Sequence, residues 1–265
     1  MTVHTADGER LAAWHVPPPA AGPVGVGVLV AHGFSGSLER DEVQAIGRAF
    51  AAYGAVLLLS HRGHGGSTGF STLGDREVLD VDAAVRTLRE LGADRVVTTG
   101  WSMGGSAVLR QAGLVGTAVH GHVLLSRPDA VVVVSTTSRW YATVEHAETV
   151  AMRRLHRLVE TRLGRLVSGR MGARVDPAGW DRAAPPVTTL AAAGRVALPL
   201  LVVHGDSDHY LGADHGRALV AAAGPTAELW EVPGLGHAEQ AVARDPELLA
   251  RLAAYLPVLL ARRRA

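Results

Sequence analysis

Short apolar, β-branched runs alternate along the chain with longer stretches in which apolar residues recur every three or four positions. Val24–Ala31 is almost continuously apolar, as expected of a strand buried on both faces. Ala55–Ser60, Arg95–Thr99, Ala130–Thr136, Leu198–His204 and Ala227–Val232 carry the same signature. Between them, Ser37 with Glu39, Asp41 and Glu42 marks a helix start, and Gly54 closes that helix after Tyr53. Arg76–Leu91 places Val78, Val81, Val85 and Leu88 on one stripe. Met103–Ala112, Ala213–Ala223 and a stretch from about Glu239 complete the predicted helices. Strands alternating with helices of this length imply a parallel sheet covered on both faces.

Two other stretches extend this frame. Val3–Val16 reads as an antiparallel hairpin turned at Asp7-Gly8 and ended by Pro17-Pro18-Pro19. Residues 138–197 lie between the sixth and seventh strands and are too long for a simple crossover. Within them Val144, Ala147, Ala151, Leu155, Leu158, Arg162 and Leu166 keep helical spacing, which predicts one long amphipathic helix. An insertion there covers the carboxyl ends of the strands, where open α/β sheets bind ligands. Residues 115–128 carry no clear period.

The 265 residues fit one domain, 1–265, with 138–197 as a helical cap within it. The formal charge of +1 supplies no field to recruit nucleic acid. All 26 basic residues are arginine. Cysteine is absent, which excludes disulfides and thiolate catalysis. No apolar run is long enough to span a bilayer, and the first ten residues lack the pattern of a signal peptide, so a cytoplasmic protein is expected.

Candidate chemistry begins at Gly100-Trp101-Ser102-Met103-Gly104, a G-x-S-x-G pattern. The five residues alone are a weak signal, and Ser102 could merely cap the following helix. Their position between a predicted strand and a predicted helix is what a nucleophile elbow requires. Three further motifs also sit at strand ends: His32-Gly33-Phe34, Arg62-Gly63-His64-Gly65-Gly66-Ser67, and His204-Gly205-Asp206-Ser207-Asp208. Gly234-Leu235-Gly236-His237 follows the last strand.

From about Val24 to the C-terminus these motifs resemble the serine α/β-hydrolase family, particularly its small esterase, lipase and acyl-hydrolase members. One departure is Ser60, where many relatives carry aspartate. The resemblance implies an α/β-hydrolase fold without cofactor, acting on a small ester or thioester. It implies Ser102 as nucleophile, His237 as base and Asp208 as orienting acid, with Asp206 as a turn former. Of the 13 histidines, His237 is singled out by its place after the last strand together with the chain order of serine, acid and histidine. Thr136-Thr137-Ser138-Arg139 offers no alternative carboxylate.

The resemblance further assigns the oxyanion-binding amides to Phe34 and Met103, with His32, Gly33, Gly100 and Gly104 in support. Trp101, Trp140 and Tyr141 are candidate pocket residues. His61 with His64, and His204, Asp206, Asp208 and His209, contain metal-ligand types, but each group is better explained by a family loop, and no metal is expected. Arg62, Arg153, Arg154, Arg157, Arg162 and Arg165 read as a solvated helix face or an attractor of acidic substrates. The rival functions are a non-catalytic binding or signalling homologue and a peptide or carbon–carbon bond hydrolase with the same residues.

Overall fold

The computed structural model describes residues 1–18, 25–140, 144–176 and 186–262. It begins with the expected hairpin, β1 (Thr2–His4) and β2 (Arg10–Val16), paired antiparallel. The chain continues through β3 (Val26–Ala31), α1 (Asp41–Ala51), β4 (Ala55–Leu59), α2 (Glu77–Glu90), β5 (Arg95–Trp101) and α3 (Met103–Leu114). Residues Ala118–Val119 (β6) and His122–Val123 (β7) form a small separate hairpin, which the sequence pattern does not announce.

The main sheet resumes with β8 (Ala130–Val134), β9 (Leu200–Gly205) and β10 (Ala227–Val232). Eight strands run in the order β1-β2-β4-β3-β5-β8-β9-β10, parallel from β4 onward. Period-two alternation sends Val28 and Val30 into one core and Leu29 and Ala31 into the other. The first core is closed by α1, α8 (Ala238–Ala243) and α9 (Pro246–Ala261), and the second by α2, α3 and α7 (Asp214–Ala223).

From β3 the chain first builds outward through β4, then crosses back to add β5 on the other side. Strand order therefore reverses between β3 and β5. Loops leaving the carboxyl ends of such neighbours diverge and leave a crevice above the sheet. His32-Gly33-Phe34 and Ser102 leave from these two ends.

The segment after β8 holds α4 (Val150–Glu160), α5 (Arg162–Arg170) and α6 (Thr189–Ala193). The single long helix expected there is broken at Thr161, which is extended at φ −93° and ψ 148°. Its Oγ accepts the Gly164 N–H at 3.0 Å, capping α5. A Cβ on Gly164 would lie 1.8 Å from the Leu158 carbonyl oxygen, so glycine permits α5 to fold back against the end of α4. Apolar spacing continues through both helices, and only the Thr-x-x-Gly signal marks the break. Beyond α5, Arg174 ties this segment to the sheet loops. Its amide donates to Gly63 at 2.8 Å and its carbonyl accepts from Ser71 at 2.7 Å.

Candidate active site

Ser102 is held in a backbone conformation that L-residues avoid, φ 48° and ψ −113°. The turn is possible because its flanks lack side chains. A Cβ on Gly100 would sit 2.5 Å from the Gly104 carbonyl oxygen, and one on Gly104 would sit 2.2 Å from that of Ala31. The Ser102 amide donates to Val134 at 2.9 Å, pinning the corner to β8. Its hydroxyl is thereby raised over the N-terminus of α3, where the helix dipole favours negative charge.

The Ser102 hydroxyl donates to Nε2 of His237 at 2.9 Å, and Nδ1 of His237 donates to Asp208 Oδ2 at 2.7 Å. This network fixes the neutral tautomer with the proton on Nδ1. The other Asp208 oxygen accepts the amides of Tyr210 and Leu211 at 2.9 and 3.0 Å. Burial alone would raise the Asp208 pKa, but the bond and charge of His237 and those two amides hold it below the usual carboxylate range. The Tyr210 ring packs on the imidazole at 4.7 Å between centroids. Ala238, at φ 55°, donates its amide to Ser135 Oγ at 3.0 Å, which anchors the turn carrying His237.

Asp206 is not part of this chain. Its Oδ1 accepts the Ser207 hydroxyl within its own turn at 3.0 Å and the Gly234 amide at 2.7 Å, joining the two loops. His204 is buried at the end of β9, where desolvation lowers its pKa and Nε2 faces the Leu211 carbonyl at 3.1 Å.

Across the crevice, His32 Nε2 accepts the His61 amide at 3.0 Å, and its Nδ1 bonds the Gly33 carbonyl at 2.7 Å. Burial, then the neighbouring His64 and His61, keep His32 neutral by lowering its pKa. Arg62 locks the loop beneath: its Nε and amide donate to Asp80 at 2.8 and 2.9 Å, and its guanidinium grips Asp7 at 2.7 and 3.0 Å. Ser60, the departure from the family pattern, accepts the Leu38 amide on its Oγ at 3.0 Å.

One residue of this site carries no sequence motif. Glu239 is buried two positions after His237, and its carboxylate accepts the amide of Gly33. Burial raises its pKa, and the Gly33 bond offsets only part of that. The bond ties the loop bearing Phe34 to the segment bearing His237. An acid near the start of α8 reads in sequence as an ordinary helix-dipole partner, so nothing there distinguishes it.

A cavity of about 590 Å³ opens over Ser102. Phe34, Met103, Trp140, Leu155, Leu158 and His237 are among its lining residues. Among the described residues, the Phe34 and Met103 amides bond no protein acceptor. Trp101 does not line the cavity. Strand alternation turns it into the core beneath, against Phe50 at 6.2 Å between rings. Tyr141 lies outside the described residues.

The sequence-noted histidines 61 and 64 pack edge-on against His32. Among the described residues, Glu148, Asp214 and His215 bring ligand-type atoms within 4.8 Å of one another. The His215 Nδ1 is already engaged by Ser138 at 2.8 Å and Glu148 by Arg139.

Ser102, His237 and Asp208 thus meet on one crevice at the strand ends. Residues 28–252 match the alpha/beta hydrolase family. The chain belongs to that family. An uncharacterized protein of Mycobacterium tuberculosis strain H37Rv is 29% identical over 257 residues, covering 94% of this chain and 73% of its own. An esterase of Pyrococcus furiosus superposes with a TM-score of 0.72 at 19% identity, covering 98% of this alpha/beta hydrolase and 90% of that chain. Est1E of Butyrivibrio proteoclasticus, solved with ferulic acid bound, gives 0.67 at 20% identity over 99% and 100% of the two chains. These two structures share the fold. Among the described residues, no helix is long and apolar enough to cross a membrane.

Proposed function

We propose that this alpha/beta hydrolase cleaves carboxylic esters or thioesters through an acyl-enzyme on Ser102. The observation that carries the reading is the continuous hydrogen-bonded chain from Ser102 Oγ through His237 to Asp208, opening on a largely apolar cavity. Ser102 Oγ bonds to the carbonyl carbon while Nε2 of His237 takes the hydroxyl proton. The carbonyl electron pair moves to oxygen, and the Phe34 and Met103 amides stabilise that oxyanion. His237 then returns the proton to the departing alcohol or thiol. Water, deprotonated by His237, releases the acid and restores Ser102. Asp208 keeps the imidazole oriented and stabilises its charged form.

Glu239 is a positioning residue in this scheme: by holding Gly33, it aims the adjacent Phe34 amide. Residues 138–197 act as a cap that excludes water and shapes the acyl site. Steady-state hydrolysis of p-nitrophenyl esters of increasing chain length tests the proposal. Turnover that disappears in Ser102→Ala is expected. Full turnover in that variant, or none in folded wild type with any ester or thioester, overturns it.

A further inference from the structure

The charge of this chain is unevenly spread. Residues 150–171 hold six arginines and a single acid, Glu160, whereas the whole chain sums to +1, so the remainder is net negative. That arginine-rich stretch is α4 and α5. Gly164 and Ser168 bury one side of α5. The opposite side presents Leu163, Leu166 and Val167, exposed by 72%, 54% and 41%, and Met171 just beyond it is exposed by 57%. Their spacing puts the three α5 residues on one helical face. Exposed Arg162 and Arg170 flank this face on α5, and α4, which packs on α5, carries exposed Arg154 and Arg157. Met171 and Arg154 also line the cavity, so the apolar face reaches its rim.

Adjacent apolar side chains on one exposed helix face, bordered by cations, match an interfacial helix rather than a solvated surface. Guanidinium groups suit lipid phosphates, to which they donate in bidentate geometry. A second copy of the chain fits poorly here, because two such arginine-rich faces repel. We propose that α5 docks this protein onto an anionic lipid surface, with Leu163, Leu166, Val167 and Met171 among the headgroups and the arginines against their phosphates. Docking requires no turnover, so it stands or falls apart from the hydrolase reading.

Co-sedimentation of the full chain with phosphatidylcholine vesicles, with and without phosphatidylglycerol, tests this. Binding to the anionic vesicles is expected, weakening with added salt. Arg157→Gln and Arg162→Gln should each reduce partitioning by up to about fivefold. Leu163→Ser with Leu166→Ser should reduce it about tenfold or more. None of these four residues lines the cavity, so hydrolysis of a short soluble ester and the melting curve should stay unchanged. If the leucine variant is unstable, the two arginine variants decide alone. No pelleting with anionic vesicles overturns the proposal, as does equal pelleting with pure phosphatidylcholine. A dimer in light scattering that the leucine variant abolishes assigns the face to a second copy and overturns it too.

Discussion

Replacing Glu239 with alanine removes the acceptor of the Gly33 amide while leaving Ser102, His237 and Asp208 untouched. Leaving a buried amide without its acceptor costs about 1–3 kcal/mol, roughly a 5- to 150-fold bias toward the tethered loop. Outright loss of one oxyanion donor lowers kcat by about 10²–10³. Glu239→Ala leaves the Phe34 amide present but less constrained, so kcat should fall by about 10- to 100-fold. KM should change little, because the oxyanion contact strengthens only in the transition state. Glu239→Gln keeps a carbonyl oxygen facing Gly33 and should retain kcat within about threefold. Steady-state kinetics on a soluble ester, with a thermal melt of each variant, separates these outcomes. Wild-type kcat in an equally stable Glu239→Ala refutes the tether. Equal loss in both variants refutes the acceptor as the operative feature.

Asp208→Asn should lower kcat by about 10⁴ at neutral pH with the cavity intact, measured by the same ester assay, because the imidazole loses its tautomer and its counter-charge. Gly104→Ala forces a Cβ against the Ala31 carbonyl and should cost about 1–3 kcal/mol in a urea titration, with an activity loss beyond that. Acid stability should depend on Asp7. Burial opposes its ionisation, but the Arg62 and Thr5 bonds hold its pKa at about 2, against an ordinary 3.8. A folded pKa below the unfolded one contributes stability above about pH 4 that is lost as pH falls toward 2. Asp7→Asn should therefore remove about 2 kcal/mol at pH 7 and flatten that acid limb in chemical denaturation across pH.

Much of the fold was legible because parallel strands buried on both faces, such as Ala130–Val134, leave apolar runs that few other elements produce. Strand-end glycine motifs were legible for a related reason: backbone contacts such as that of Gly104 on Ala31 tolerate no side chain. Ser102, His237 and Asp208 could be placed because each follows a strand end. Trp101 was misjudged because its neighbour Ser102 leaves the strand, while Trp101 itself still obeys the alternation and faces the core. The break at Thr161 was hidden by apolar spacing that runs through two packed helices. Glu239 was invisible because its meaning lies in a partner 206 positions away. The hairpin at Ala118–Val123 is too short for any period to register.

The most direct test of the central claim is intact-protein mass spectrometry after exposure to a fluorophosphonate, with peptide mapping of the adduct. One adduct per chain is expected, on Ser102, absent from Ser102→Ala and slowed in His237→Ala. Folded wild-type protein that stays unlabelled, or an adduct mapped to another residue, contradicts it.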